Sequence, residues 1–127
     1  MNAHRIYFHI AWTTLGRRPM IDSATRDFLH EYIRRIAIRE RVRVLGLAIL
    51  QTHVHVVVQT AARYDLPQLL QAWKGGSSFA ASRIDGNRLG LRWSREYAVT
   101  SVSPRHLAHA LQYVRIQDLH HPEEAIV

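Results

Sequence analysis

A chain of 127 residues, 47% hydrophobic and 21% charged, is sized and composed as one globular domain. That excludes a disordered tail, and no apolar run approaches the roughly 20 residues of a membrane span. Cysteine is absent, so a disulfide framework, a thiolate zinc site and a cysteine nucleophile are excluded together, while a net charge of +7 suits a polyanionic partner, most simply nucleic acid.

Residues 4–14, HRIYFHIAWTT, are aromatic and β-branched and read as a strand. Phe8, Ile10 and Trp12 share one face; Tyr7, His9 and Ala11 share the other. The same N-terminal stretch has no long apolar segment followed by small residues. No signal peptide is predicted, and the cytoplasm is the default location. Asp22 or Ser23 can cap a helix running to about Arg39, with Phe28, Tyr32 and Ile36 in its apolar stripe.

Residues 42–50 and 53–59 form two more strands, joined at Gln51 and Thr52 by a junction short enough to make them antiparallel neighbours. Asp65 then caps a helix with Pro67 near its first turn, running to about Arg83 with a weak point at Gly75-Gly76. Residues 84–92 read as loop and 95–102 as a fourth strand. Ser103-Pro104 opens a last helix that reaches about Leu119. The order β-α-β-β-α-β-α predicts an α+β fold, the ferredoxin-like βαββαβ arrangement with an antiparallel sheet and an added C-terminal helix, as one domain over 1–127.

Four groups of residues could carry chemistry. His53 and His55 lie two apart in a strand, so both imidazoles point to one side and can converge on a cation. Val54, Val56 and Val58 then face the core. Taken alone, a bare His-x-His pattern is more often two histidines on a solvated sheet face than a metal site. Tyr113 and Gln117 are spaced i, i+4 on the last helix and project from one face, although a tyrosine on an amphipathic helix is also an ordinary core-edge aromatic. Lys74 with the following Gly-Gly-Ser-Ser offers a cation, backbone donors and hydroxyls suited to phosphate; a helix interrupted by glycines reads the same way. Trp93 and Tyr97, interleaved with Arg92 and Arg95, could stack unpaired bases or pack a strand edge on a helix. All basic residues but Lys74 are arginine, the side chain best suited to forked phosphate contacts. A GC-rich genome would explain that ratio, though not the net sign.

The order and spacing of these pieces carry more than any one of them. YFHIAWTTLGRRPMI, THVHVVV, LLQAWKGGSS, RWSREYAVTSVS and YVRIQ together span nearly the whole chain. They resemble the single-tyrosine HUH transposases, which move insertion sequences of the 200/605 type and include the REP-associated tyrosine transposases. Thr52 stands where that family often has Asp before the motif. The resemblance implies Tyr113 as the nucleophile toward single-stranded DNA, forming a 5′-phosphotyrosine link. It implies His53, His55 and Gln117 as ligands of Mg2+ or Mn2+. It also implies a hairpin-forming DNA substrate, met by basic residues such as Arg17, Arg18, Lys74, Arg92 and Arg95, and a homodimer. The third strand is apolar enough to sit in a sheet shared between subunits. The alternatives are a hairpin-binding protein without turnover and a ferredoxin-like RNA-binding module. The chain lacks the RNP1 signature of the latter.

Overall fold

The computed structural model describes residues 5–81, 83 and 90–126. Four strands form one antiparallel sheet: β1 (Arg5–Thr14), β2 (Arg43–Ile49), β3 (His53–Ala61) and β4 (Trp93–Val102), in the order β2-β3-β1-β4. This is the predicted ferredoxin-like order. Helices α1 (Ser23–Arg39) and α2 (Leu66–Ala81) cover one face, and α3 (Leu107–Arg115) packs on the other against β2 and β3.

The predicted alternation decides which face is the core. Ile10, Trp12, Val54, Val56 and Val58 are buried beneath Leu29 and Ile33 of α1 and Leu69 and Trp73 of α2. Trp73 stacks on Trp12 with ring centroids 5.6 Å apart and donates its indole N–H to the Ile33 carbonyl at 3.0 Å. Removing such a buried ring costs about 3–5 kcal/mol. Trp93 meets Trp12 edge to face and donates to Ser77 Oγ at 2.9 Å, so it belongs to this core and not to a base-stacking surface. Asp22 caps α1 by accepting from the Thr25 N–H at 2.8 Å, and Asp65 Oδ1 accepts from Gln68 N ahead of α2.

Three expectations are corrected. First, α2 runs unbroken through Gly75-Gly76. Gly76 faces α1, where a Cβ would lie 1.8 Å from Tyr32 Oη; the missing side chain lets the two helices approach. The amides of this stretch lie inside a helix, and Ser77 and Ser78 bond back to the Lys74 and Gly75 carbonyls, so no flexible phosphate loop exists here. Second, β4 begins at Trp93, two residues earlier than predicted, and most of the predicted loop at 84–92 lies outside the described residues. Third, the last helix is not continuous. A 3-10 turn (Pro104–His106) precedes α3, and the backbone breaks at Ile116 before a short α4 (Gln117–His120).

The sheet interior accounts for the apolar third strand. β3 lies between β2 and β1 of its own chain, so its valines are buried without any neighbouring subunit. At β2 the register shifts between Val44 and Gly46, and Leu111 of α3 packs over Gly46, 3.0 Å from where a Cβ would sit. Beyond α4, the turn Pro122–Glu124 folds back on the β2–β3 junction. Gln51 donates its backbone N–H to the Glu124 carbonyl and its side-chain amide to the Ala125 carbonyl, each at 2.8 Å, and Ile126 packs against the core. Among the described residues no helix is long and apolar enough to cross a membrane.

Candidate functional site

The site lies on the sheet face opposite the tryptophan core. Strand pairing places His53 across from Thr13 and His55 across from Ala11, so the small Ala11 side chain leaves room above the sheet. His9 is two residues further along β1 on this same face, and its Nε2 lies 2.9 Å from His55 Nδ1. The rings of His53 and His55 have centroids 5.0 Å apart, as the two-residue spacing requires. From α3, the Tyr113 ring meets His9 at 5.8 Å and His55 at 6.0 Å, all within one chain. Tyr113 keeps 39% of its surface exposed, on a cleft of about 490 Å³ that Arg17, His53, His55, Tyr97 and His121 also line.

The break at Ile116 turns Gln117 inward. Its side chain is 1% exposed, and its Nε2 donates to the Tyr113 carbonyl at 3.2 Å. That carbonyl is the one a continuous helix would pair with the backbone N–H of Gln117. The other end of the amide, Oε1, is buried without a hydrogen-bond partner. A buried acceptor left unpaired costs free energy, so this oxygen is open to a donor or a cation. The Gln117 side chain lies against His53, where it favours the protonated ring.

Electrostatics keep the rings neutral. Burial, then the neighbouring His53, His9 and His121, pushes the His55 pKa down to about 3. Burial also lowers His53, outweighing the pull of Glu124, and it lowers His9. Neutral imidazoles carry a lone pair on one ring nitrogen and suit a cation. For Glu124, burial acts to raise the carboxyl pKa, but the Thr52 hydroxyl and the neighbouring His53, Arg17 and His121 bring it below its ordinary value. His53 and His55 in the cleft, with the Gln117 side chain against His53, offer two ring nitrogens and an amide oxygen to a divalent ion. His121, Glu123 and Glu124 also cluster, with ligand atoms within 4.8 Å of one another, but His121 pairs with both carboxylates there.

The basic residues separate into groups. Arg17 lines the cleft and pairs with Glu124 at 3.7 Å. Arg18, Arg92 and Arg95 are exposed outside it. Lys74 does not project freely: its ammonium reaches the Arg95 and Glu96 carbonyls at 3.3 Å and sits over the Tyr97 ring at 5.5 Å. Sequence reasoning missed three residues that border the histidine pair, namely His9, His121 and Glu124. His9 could have been found, because alternation already assigned it to the face away from Trp12. Nothing local marks the other two.

Comparison with known proteins identifies the family and the fold. The sequence model of the family described as "Transposase IS200 like" matches residues 2–117. The ISDra2 transposase TnpA of Deinococcus radiodurans is 24% identical over 119 residues, covering 90% of this chain and 85% of that protein. Among solved structures, a transposase from Deinococcus radiodurans superposes with a TM-score of 0.68 at 23% identity, covering 91% of this chain and 92% of that one. A REP-associated tyrosine transposase bound to a REP hairpin superposes with a TM-score of 0.72 at 12% identity, over 95% of this chain and 70% of that one.

Proposed function

The chain belongs to the IS200-like transposase family, and from that premise we propose that it cleaves and rejoins single-stranded DNA beside a hairpin through a covalent bond to Tyr113. The observation that carries the reading is the meeting of the Tyr113 ring with His55 at 6.0 Å, with the buried Gln117 side chain lying against His53.

In this reading the Tyr113 oxygen forms a bond to the scissile phosphorus as the bond from phosphorus to the 3′ oxygen breaks. The phenol loses its proton, and the departing 3′ oxygen gains one. The resulting 5′-phosphotyrosine keeps the phosphodiester energy, so another 3′-hydroxyl can reverse the step without a nucleotide cofactor. His53, His55 and Gln117 hold Mg2+ or Mn2+, whose charge when bound stabilises the phosphate oxygens. For His55 to offer Nε2, its Nδ1–H donates to His9 Nε2. Gln117 also ties the tyrosine helix to the pocket through the Tyr113 carbonyl.

The proposed substrate is a single strand carrying a hairpin, the class of DNA on which the REP-associated relative was solved. The net charge of +7 and Arg17 at the cleft support an anionic partner. A homodimer is part of the same reading. Because β3 is interior, it cannot pair edge to edge with a strand of the partner.

The test is a covalent adduct. Labelled hairpin DNA incubated with the protein and Mn2+ should yield a protein-DNA species that survives denaturation. Tyr113→Phe should abolish that species and retain hairpin binding. Binding without adduct in the unaltered protein identifies a binding module. Cut DNA without adduct identifies a hydrolase.

A further inference from the structure

We propose that Glu124 is a positioning residue for His53, acting through the Thr52 hydroxyl to hold the ring with its proton on Nδ1 and its lone pair on Nε2. The inference rests on the reading of His53, His55 and Gln117 as cation ligands.

Thr52 Oγ1 lies 3.0 Å from His53 Nδ1 and donates to Glu124 Oε1. The same carboxylate oxygen is 3.6 Å from Nδ1. A hydroxyl has one proton to give, and a carboxylate can only accept. The Thr52 proton therefore goes to Glu124, and the oxygen of Thr52 must accept from the ring. Nδ1 is then the donor, and in a neutral imidazole the lone pair is left on Nε2. Fixing the tautomer in this way is what an outer carboxylate does for a ligating histidine.

Glu124 is built into this place. Its backbone carbonyl accepts from Gln51 N, and Ile126 anchors the following chain in the core. Arg17 at 3.7 Å and His121 at 3.5 Å flank the carboxylate. Thr52 itself is buried and Glu124 is partly buried, so the hydroxyl between ring and carboxylate is shielded from water. The family match ends at residue 117, before this turn begins. The carboxylate thus comes from outside the matched region and reaches Thr52 by tertiary folding alone.

The experiment measures Mn2+ affinity of the DNA-free protein by the loss of the free-ion electron paramagnetic resonance signal. Ring 15N shifts of His53 in the metal-free protein are read alongside. Glu124→Leu, which removes the acceptor, should weaken Mn2+ binding about 10–100-fold and erode the Nδ1–H tautomer. Thr52→Asp added to Glu124→Leu puts a carboxylate directly beside the ring and should restore both. Should Glu124→Leu fail to fold, Thr52→Val cuts the same relay while keeping the turn's backbone bonds, and should weaken binding likewise. Wild-type affinity in Glu124→Leu, with binding lost in His53→Ala, would overturn the role of Glu124 and leave the cation site standing. Equal affinity in the wild type and His53→Ala would overturn the cation site, and this inference with it.

Discussion

His9 Nε2 and His55 Nδ1 lie 2.9 Å apart, although the two residues are separated by 46 positions in sequence. The contact exists because β1 and β3 pair with Ala11 opposite His55, which brings the next residue on that face within reach. It gives His55 a partner for Nδ1, as Thr52 gives His53 one.

His9→Phe should therefore slow adduct formation about 10–100-fold at saturating hairpin DNA, the usual cost of losing the partner of a ligating histidine. His9→Gln, which keeps an acceptor, should retain more activity. Single-turnover rates of the two variants decide it. Wild-type rates in His9→Phe would show that His9 does nothing for the site.

Among the described residues, Arg17 is the arginine that lines the cleft. Arg17→Gln should weaken hairpin binding and reduce the slope of log affinity against log salt by about 0.7, the value for one phosphate contact on a single strand. Lys74→Gln should change that slope less, because the Lys74 ammonium is held against β4. Binding isotherms at several salt concentrations give both slopes.

The glycine pair of α2 makes opposite predictions at adjacent positions. At Gly75 a Cβ meets nothing within 4 Å, so Gly75→Ala should stabilise by about 0.5–1 kcal/mol through helix propensity. At Gly76 it would collide with Tyr32, and overpacking of about 1–3 kcal/mol outweighs that gain. Urea unfolding should shift the two midpoints in opposite directions. A higher midpoint for Gly76→Ala would mean that Tyr32 swings aside without cost.

The α1 cap gives a pH signature. The backbone N–H of Thr25, then its hydroxyl, hold the Asp22 carboxyl below its ordinary pKa. A carboxyl depressed in the folded state adds stability that is fully present above its unfolded pKa of 3.8 and lost as pH falls through the lower folded value. Asp22→Ala should cost about 1 kcal/mol at pH 7. The gap from wild type should narrow below pH 4. Denaturant titrations at pH 7 and pH 3 measure the narrowing.

The helix break at Ile116 shows where linear reading stops. The i, i+4 spacing of Tyr113 and Gln117 implied two side chains projecting alike from one rod. In the fold one is partly exposed on a cleft, and the other is buried with its amide on the first one's carbonyl. Sequence spacing carries helical geometry only while the helix continues. In the same way, Gly75-Gly76 reads as a breaker by propensity, and packing against Tyr32 overrides it.

The sequence by itself determined the element order, the sheet face that becomes core, and the pairing of His53 with His55, because alternation and near-neighbour spacing are properties of a local backbone. It also carried the family, through the order of short motifs. Only the tertiary structure decided that His9 backs His55, that a carboxylate from the C-terminal turn reaches Thr52, and that Tyr113 meets the histidines of its own chain. Those contacts join residues distant along the chain. Strand register and the fold-back of the C-terminus set them, and no local pattern encodes either.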